Sequence, residues 1–487
     1  MRYSMLVYLT NMGKTLLEAA RYLHTAVDHS LREEVLENDR QMIVQIRLEL
    51  ERHRSDLRTQ RPLDWLRDIE DAWGRDDDGK DLEDRLTYFV LYLPEELRYK
   101  VRAVFFAELG EKWDSMESVY EYMREDPRFD PVVVLTPYFR EINRNGKLEK
   151  EVIYKDYLTP LGISFLQYDQ YSLPEDCPDL AFISQPYESA APREFWPEYI
   201  AKYTRLVYLS YGIIGAVFAD SHKTLCQLPV FRYAWKVPGP SERFYHYYRK
   251  HAMNGGGNMV VTGLPKFDPV IRLTGKSEDV PEEWKPIVEN RAVILWNTWY
   301  DPQRSSIAYF DAIIEWFKAH DDCALIWRMH PLTDTVTKMY YPPQYYDRLQ
   351  QNIAAVKASS NMIIDENASY NPSFFCSNAM ISDYSSMMFQ YFVMDKPVLW
   401  IKRQGGIGPF NGKILTDEVI IDGSWMEEAI NQDEIFGFME RIRNGEDRNA
   451  DMRRAVLNRD LPLADGHCGE RVCNALWDAM HEEDLGT

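Results

Sequence analysis

The segment AMISDYSSMMFQYFVMDKPVLW, residues 379–400, decides the fold, because it passes from strand to helix to strand without a long loop. AMIS predicts a strand that ends near Asp383, SSMMFQYFVMD predicts an amphipathic helix, and PVLW predicts a second strand. A helix between two strands is the crossover that joins parallel strands. The helix start, at Ser385 or Ser386, offers free backbone N–H groups and two hydroxyls to an anion. The alternative is that both serines only cap the helix.

The same alternation of short apolar runs with helical or loop segments continues on both sides. In the C-terminal half, the predicted strands are 292–297, 324–329, 362–366, 379–383 and 397–401. Earlier in the chain, the predicted strands are 101–106, 132–137, 163–168, 180–184, 205–210 and 258–263. The polar stretch GKSEDVPEEWKP separates the two series. Strands that alternate with helices predict parallel sheets. The sequence therefore predicts two consecutive doubly wound domains.

Residues 1–60 have a helical pattern instead, with apolar residues at spacings near three and four from Leu6 to Val35 and again from Ile43 to Leu50. The predicted fold class is α/β, with two Rossmann-like domains after an α-helical N-terminal region. The predicted boundaries are 1–95 for a helical hairpin or bundle, 96–275 for the first Rossmann-like domain, and 276–487 for the second with its C-terminal helices. In open parallel sheets ligands bind at the carboxyl ends of the strands, so the cleft between the domains is the predicted site.

Composition excludes several classes of protein. A net charge of −21 disfavours non-specific binding to nucleic acid or anionic lipid. No run reaches the ~18 apolar residues of a spanning helix, and the N-terminus lacks a signal-peptide cleavage site. Six scattered cysteines suit reduced thiols in a cytoplasm. Cys468 and Cys473 beside His467 suggest a zinc cluster, but the CxxC spacing and a fourth ligand are missing.

Polar candidates follow two neighbouring strand ends of the second domain. In WRMHP, His330 comes directly after a strand, and Arg328 is expected on the same side of that strand. The alternative for His330 is a structural histidine packed under a loop. Asn297 and Thr298 end the strand before it and supply an amide and a hydroxyl.

A glycine-rich loop, RQGGIGPFNG, follows the last predicted strand and contains Gly405 and Gly406. Such a loop wraps phosphates closely, or is simply a flexible turn. Because the carboxyl ends of parallel strands meet at one edge of a sheet, we expect all of these candidate groups to converge there.

These motifs, in this order, resemble the CDP-glycerol:poly(glycerophosphate) glycerophosphotransferase family, whose members have a two-domain GT-B fold. The matching residues of the second half are Arg328-Met329-His330-Pro331, Asp383-Tyr384-Ser385-Ser386, Lys396-Pro397, and Asp465-Gly466 followed by Arg471. The segment TGLPKFD, residues 262–268, is similar to the family's G-x-P-(R/K)-x-D joint between the lobes. The resemblance covers residues 255–480, with weaker similarity back to about residue 100.

The resemblance implies that His330 contacts the pyrophosphate of a CDP-activated donor and offsets charge on the departing nucleotide, as a hydrogen-bond donor or as an acid. The donor and phosphate-binding residues it implies are Arg328, Asn297, Thr298, Asp383, Ser385, Ser386, Gly405, Gly406 and Arg471. No cofactor or metal is expected, since enzymes of this fold typically work without one and no D-x-D motif lies at a strand end.

Two residues depart from the family pattern. In RLVYLSYGIIG, residues 205–215, Tyr211-Gly212 replaces a His-Gly whose histidine would activate the acceptor hydroxyl. A tyrosine with an ordinary pKa near ~10 is a poor base, so Tyr211 is a weaker catalytic candidate. His222 could substitute if its loop folds back, and the alternative is a histidine exposed at the surface. Gln390 stands where the family often has an acid.

The predicted function is the transfer of glycerol phosphate, or a related polyol phosphate or sugar, from a CDP-activated donor to a cell-surface polymer or lipid-linked acceptor. The alternatives are a UDP-sugar glycosyltransferase or epimerase of the same fold, and a GT-B-like scaffold that has lost its base. The expected location is the cytoplasm. The N-terminal helices have a mixed-charge polar face, which favours packing on themselves, on the α/β lobes or on a second copy over peripheral binding at the membrane.

Overall fold

The computed structural model describes residues 1–25, 29–73, 80–144, 147–212, 225–273, 280–367, 369–383, 385–402 and 423–486. Its described N-terminal part contains the α-helices Tyr3–Thr25, His29–Arg52, Gln60–Ala72 and Lys80–Glu96. Much of the apolar pattern that predicted helix in residues 1–60 is buried, with Leu6, Leu9, Ile46 and Leu50 fully enclosed, whereas Leu31 is exposed. The predicted helical N-terminal region is therefore confirmed. No helix in the described ranges is long and apolar enough to cross a bilayer.

The first lobe is built on a parallel sheet whose strands are β1 Val101–Ala107, β2 Phe129–Leu135, β5 Phe165–Gln167, β6 Leu180–Ile183 and β7 Arg205–Tyr208. Their order in the sheet is β5-β2-β1-β6-β7. Its described helices are Gly110–Trp113, Glu117–Glu125, Leu173–Asp176, Pro197–Ile200, Pro229–Tyr233, Glu242–His251 and Asp268–Arg272. The central strand β1 is buried almost throughout, as expected for a parallel strand covered on both faces.

Two small sheets in this lobe differ from the predicted strand set. The antiparallel hairpin of β3 Tyr138–Arg144 and β4 Lys147–Ile153 follows β2, where no strands were predicted. The predicted strand 258–263 is β9 Met259–Val261, which pairs with β8 Val237–Gly239 rather than joining the five-stranded sheet.

The second lobe is a parallel sheet with the strand order β12-β11-β10-β13-β14-β15. Its strands are β10 Ala292–Thr298, β11 Cys323–Met329, β12 Met362–Ile364, β13 Ala379–Ser382, β14 Val398–Ile401 and β15 Glu427–Ala429. The predicted strands of this lobe are found within about two residues, and the three-residue β15 is an addition. Its described helices are Lys285–Val288, Phe310–Ala319, Thr333–Tyr340, Pro343–Lys357, Asn371–Cys376, Ser386–Phe392, Gln432–Arg443, Ala450–Asp460 and Cys468–Asp484.

The last helix, Cys468–Asp484, packs on the first lobe, although it follows the second lobe in the chain. Val472, Leu476 and Met480 of this helix are buried in the same core as the N-terminal helices and β1. Gly469 makes this packing possible, because a Cβ there would lie 2.6 Å from the backbone of Ser118. The last helix therefore ties the C-terminal end of the chain to the first lobe.

Candidate active site

The carboxyl ends of β10, β11 and β13 lie side by side at one edge of the second sheet. Asn297 is in register with Arg328 on one side and with Ser382 on the other. Its Nδ2 donates to the Ser382 Oγ at 2.9 Å, and the buried Thr298 hydroxyl accepts from the Trp327 Nε1 at 3.1 Å. Both predicted residues lie at the predicted edge, where their side chains hold neighbouring strands together.

Asp383, directly after β13, anchors the loop that follows β10. Its Oδ2 accepts from the Trp299 backbone N–H at 2.8 Å and from the Ser305 hydroxyl at 2.6 Å, and its Oδ1 accepts from the Ser306 N–H at 2.7 Å. Burial raises the pKa of Asp383, and these hydrogen bonds oppose the rise. The Asp383 carboxylate thus forms its hydrogen bonds within the protein, and these bonds hold the loop of residues 299–306 in place.

Arg328 does not extend alongside His330, because its guanidinium turns toward the end of β12. It donates to the Asp365 carboxylate at 2.5 Å and to the Ser369 carbonyl at 3.2 Å. Asp365 also accepts from Ser373 and from the Asn367 backbone. Arg328 therefore stabilises the loop after β12.

His330 lies at the predicted strand end with a defined tautomer. Its backbone N–H bonds the Thr298 carbonyl at 3.1 Å, and its Nδ1 accepts from the Leu332 N–H at 3.1 Å. Because Nδ1 is an acceptor, the neutral ring carries its proton on Nε2. Burial lowers the pKa of His330, while Glu111 of the first lobe raises it. With the Tyr300 ring 5.1 Å away, His330 is a half-buried, neutral donor.

The helix after β13 begins as the capping alternative predicts. Ser385 is its N-cap and accepts from the Met387 N–H at 3.2 Å, whereas Ser386 is exposed. Gly405 and Gly406 lie outside the described residues, as does His222.

Arg471 lies at the joint between the lobes rather than at the sheet edge. Its guanidinium donates to the carbonyl of Thr262 at 2.9 Å and forms a paired contact with Asp465. Asp268 completes the joint, since its buried carboxylate accepts from the N–H groups of Cys468 and Gly469 at the start of the last helix. The joint segment 262–268 therefore binds the family-like segment at the start of the last helix.

The first lobe contributes Tyr211, three residues beyond β7, and a buried ion pair beyond β1. The Lys112 ammonium lies 3.5 Å from the Glu108 carboxylate and 5.0 Å from the centre of the Tyr211 ring. Burial raises the pKa of Glu108 to about 7, against the effect of Lys112. Burial also raises the pKa of Tyr211, so its phenol is neutral at any ordinary pH. Of these residues, Glu108 is the group that titrates near neutrality.

The two lobes are linked by Asp114, which follows this ion pair. Its Oδ2 accepts from the Gln390 Nε2 at 2.7 Å and from the Tyr370 hydroxyl at 3.1 Å, both in the second lobe. Lys266, in the joint, lies 3.2 Å from the same oxygen. The family often has an acid at the position of Gln390, and an acid there would repel Asp114. The glutamine of this chain instead donates a hydrogen bond to Asp114, so it suits this contact.

Sequence reasoning missed Glu108, Lys112 and Asp114. A signal was present, since Glu108 directly follows an apolar strand, the same rule that identified His330. What the sequence lacked was a motif around Glu108 and any sign that its carboxylate would be buried.

Residues 241–478 match the family model of CDP-Glycerol:Poly(glycerophosphate) glycerophosphotransferase. The family resemblance predicted from the motifs is confirmed over this range. No match to the chain is found among curated proteins.

Several solved structures share the architecture at low identity. A Listeria monocytogenes protein assigned as a UDP-N-acetylglucosamine 2-epimerase is 11% identical with a TM-score of 0.53, covering 79% of this chain and 97% of that one. MnaA of S. aureus, in complex with UDP, is 12% identical with a TM-score of 0.51, covering 78% and 97%. The wall teichoic acid polymerase TagF is 13% identical with a TM-score of 0.51, covering 82% and 94%. These likenesses confirm the predicted fold of two Rossmann-like domains.

Proposed function

We propose, from the premise that residues 241–478 belong to the CDP-glycerol:poly(glycerophosphate) glycerophosphotransferase family, that this chain transfers a polyol phosphate from a CDP-activated donor. The acceptor is a hydroxyl of a cell-surface polymer or of a lipid-linked molecule. The observation that carries the proposal is the state of His330 at the carboxyl edge of the second sheet. Its imidazole is half-buried and neutral, and because Nδ1 accepts a hydrogen bond, the ring donates through its Nε2–H.

The chemistry places few demands on the protein beyond position and charge stabilisation. In the proposed reaction the acceptor oxygen bonds to the phosphorus that carries the polyol, and the bond from that phosphorus to the CMP oxygen breaks. The Nε2–H of His330 donates to the phosphate oxygens of the departing CMP, where negative charge develops. The acceptor proton must leave on a base of the first lobe.

The remaining predicted residues divide into two roles in this proposal. Ser385 and Ser386, at the start of the helix that follows β13, supply hydroxyls and N–H groups to the pyrophosphate. Asp383, Arg328 and Arg471 act by holding the loops and the joint around the donor, because their side chains are engaged in internal hydrogen bonds. Gly405 and Gly406 are proposed to contribute backbone N–H groups.

Calorimetric titration with CDP-glycerol, CDP-ribitol, UDP-N-acetylglucosamine and CMP tests the proposal on the wild-type chain and on His330→Ala. We expect binding of a CDP-linked donor in preference to UDP-N-acetylglucosamine, and weaker binding in the variant. Preference for the UDP-sugar would instead support the glycosyltransferase or epimerase alternative. Binding of CDP-glycerol with no CMP release on any acceptor would support the inactive scaffold.

A further inference from the structure

We propose that Glu108 is the proton acceptor for the acceptor hydroxyl, in the role that the family gives to the histidine replaced here by Tyr211. This inference rests on the proposed function. It assigns the acceptor-side base to a residue that no family motif contains.

The position of Glu108 is the first support. It directly follows Ala107, the last residue of the central strand β1, so it lies at the carboxyl edge of the first sheet. Tyr211 lies beyond the end of β7 in the same sheet. The Lys112 ammonium is in contact with both side chains, and with the Tyr138 ring at 4.3 Å. Glu108 therefore lies in one cluster with Lys112, Tyr138 and Tyr211, and Tyr211 occupies the position of the family's histidine.

The same cluster contains polar atoms that could form hydrogen bonds with a ligand. Within the described residues, the Gln185 Oε1 and the Tyr157 hydroxyl are buried without a hydrogen-bond partner. Gln185 follows the end of β6, the strand beside β1, and the Tyr157 ring packs against Gly110. A buried polar atom without a partner is unfavourable, and a polyol acceptor would offset this by donating to the Gln185 Oε1 and accepting from the Tyr157 hydroxyl.

The electrostatic surroundings suit a base. The groups that face Glu108 are the Lys112 ammonium, the neutral phenols of Tyr138, Tyr157, Tyr208 and Tyr211, and the nearby carboxylate of Glu111. Burial raises the pKa of Glu108 to about 7. A base with a pKa near the working pH combines a useful ionised fraction with a useful affinity for the proton.

The segment that follows Glu108 reaches the second lobe. Glu111, three residues later, acts electrostatically on His330, and Asp114 bonds Gln390 across the cleft. In the proposed step the acceptor O–H proton passes to the Glu108 carboxylate, and the oxygen bonds to the phosphorus that bears the polyol. The electron pair of the broken P–O bond leaves with CMP.

The experiment measures CMP release from CDP-glycerol with a short synthetic poly(glycerol phosphate) as acceptor, over a range of pH. In the wild type we expect kcat/KM to rise with pH through about 7, because Glu108 must be ionised to accept a proton. Glu108→Gln should lower the rate by ~10²–10⁴-fold and abolish this rise, with unchanged affinity for CDP-glycerol. Lys112→Met should move the rise to higher pH, because it removes the charge that favours ionised Glu108.

Glu117→Gln is the matched control, because burial also raises the pKa of Glu117 to about 7 and its carboxyl lies on the adjacent helix. It should leave the pH profile unchanged. An active Glu108→Gln variant with the wild-type profile would overturn the assignment of Glu108 and leave the proposed function intact. A wild type that binds no CDP-linked donor and releases no CMP would overturn the proposed function, and this inference with it. Loss of CDP-glycerol binding in Glu108→Gln, with a lower melting temperature, would assign Glu108 a structural role instead.

Discussion

Polar side chains at the carboxyl edge of the second sheet are mostly engaged with their own lobe, whereas those at the edge of the first sheet are buried with fewer partners. In the second lobe, Asp383 accepts three hydrogen bonds and Arg328 is paired with Asp365. In the first lobe, Glu108 has Lys112 as its counter-charge at 3.5 Å. The motif residues Asp383 and Arg328 thus support their own lobe, whereas the edge without motifs holds Glu108, whose pKa burial raises to about 7.

The difference between the two edges shows that a sequence motif does not by itself identify residues that contact a ligand. A motif residue can hold the fold rather than contact a ligand, as Arg328 and its partner Asp365 show. The first lobe has no comparable motif, since Tyr211-Gly212 stands where the family pattern has His-Gly.

The largest effect expected at the second edge comes from removing His330, its hydrogen-bond donor. His330→Ala should reduce CMP release by roughly 10²–10³-fold, because a hydrogen bond to the developing charge is lost. Steady-state assays on CDP-glycerol measure this. His320→Ala is the control, since His320 stacks on Trp316 before the start of β11, at the opposite edge of the sheet. An equal loss in both variants would contradict the special role of His330.

The next prediction concerns Asp383, whose hydrogen bonds hold the loop after β10. Asp383→Asn should lower the apparent free energy of unfolding by about 2–4 kcal/mol, because an amide cannot accept from all three donors. Urea denaturation followed by tryptophan fluorescence measures the change. Asp311→Asn removes an exposed ion pair with Arg348 and should cost about 0–0.5 kcal/mol. If Asp383→Asn is as stable as Asp311→Asn but fails to bind donor, Asp383 is a ligand-binding residue rather than scaffold.

The hydrogen bond between Asp114 and Gln390, which joins the two lobes, predicts a smaller loss of stability. Gln390→Glu should place a second carboxylate against Asp114, which now lies 2.7 Å from the Gln390 amide. We expect a loss of about 1–3 kcal/mol and a larger radius of gyration in small-angle X-ray scattering, as the lobes separate. Gln351→Glu, at an exposed position of the helix Pro343–Lys357, makes the same chemical change away from the contact between the lobes. An unchanged radius in Gln390→Glu would show that the lobes are held by other contacts.

The smallest expected effect is at Tyr211. Tyr211→Phe should change CMP release by ~2-fold or less, because a phenol with a raised pKa does not act as a base at neutral pH. The assay is the pH profile of kcat/KM. A 100-fold loss together with a displaced profile would make Tyr211 the base and reverse the proposed assignment of the first edge.

Much of the fold could be predicted because its signals are local. The apolar runs that became β10 and β11 are strands that are buried on both faces, and such strands need no distant information to be recognised. The hairpin of β3 and β4 was missed because its sequence is polar and its stability comes from pairing between the two strands. The three-residue β15 was missed for the same reason.

Sequence by itself determined the periodicity of the helices and strands, the order of the motifs, and the position of His330 just beyond a strand. Only the tertiary structure decided that Arg328 turns to Asp365, that Asp383 holds residues 299–306, and that Glu108 is buried beside Lys112. The physical reason is that hydrogen-bond partners and desolvation depend on groups brought together from distant parts of the chain. Local spacing can place a polar side chain at a sheet edge, but the neighbours it meets there decide whether it supports the protein or is available for chemistry.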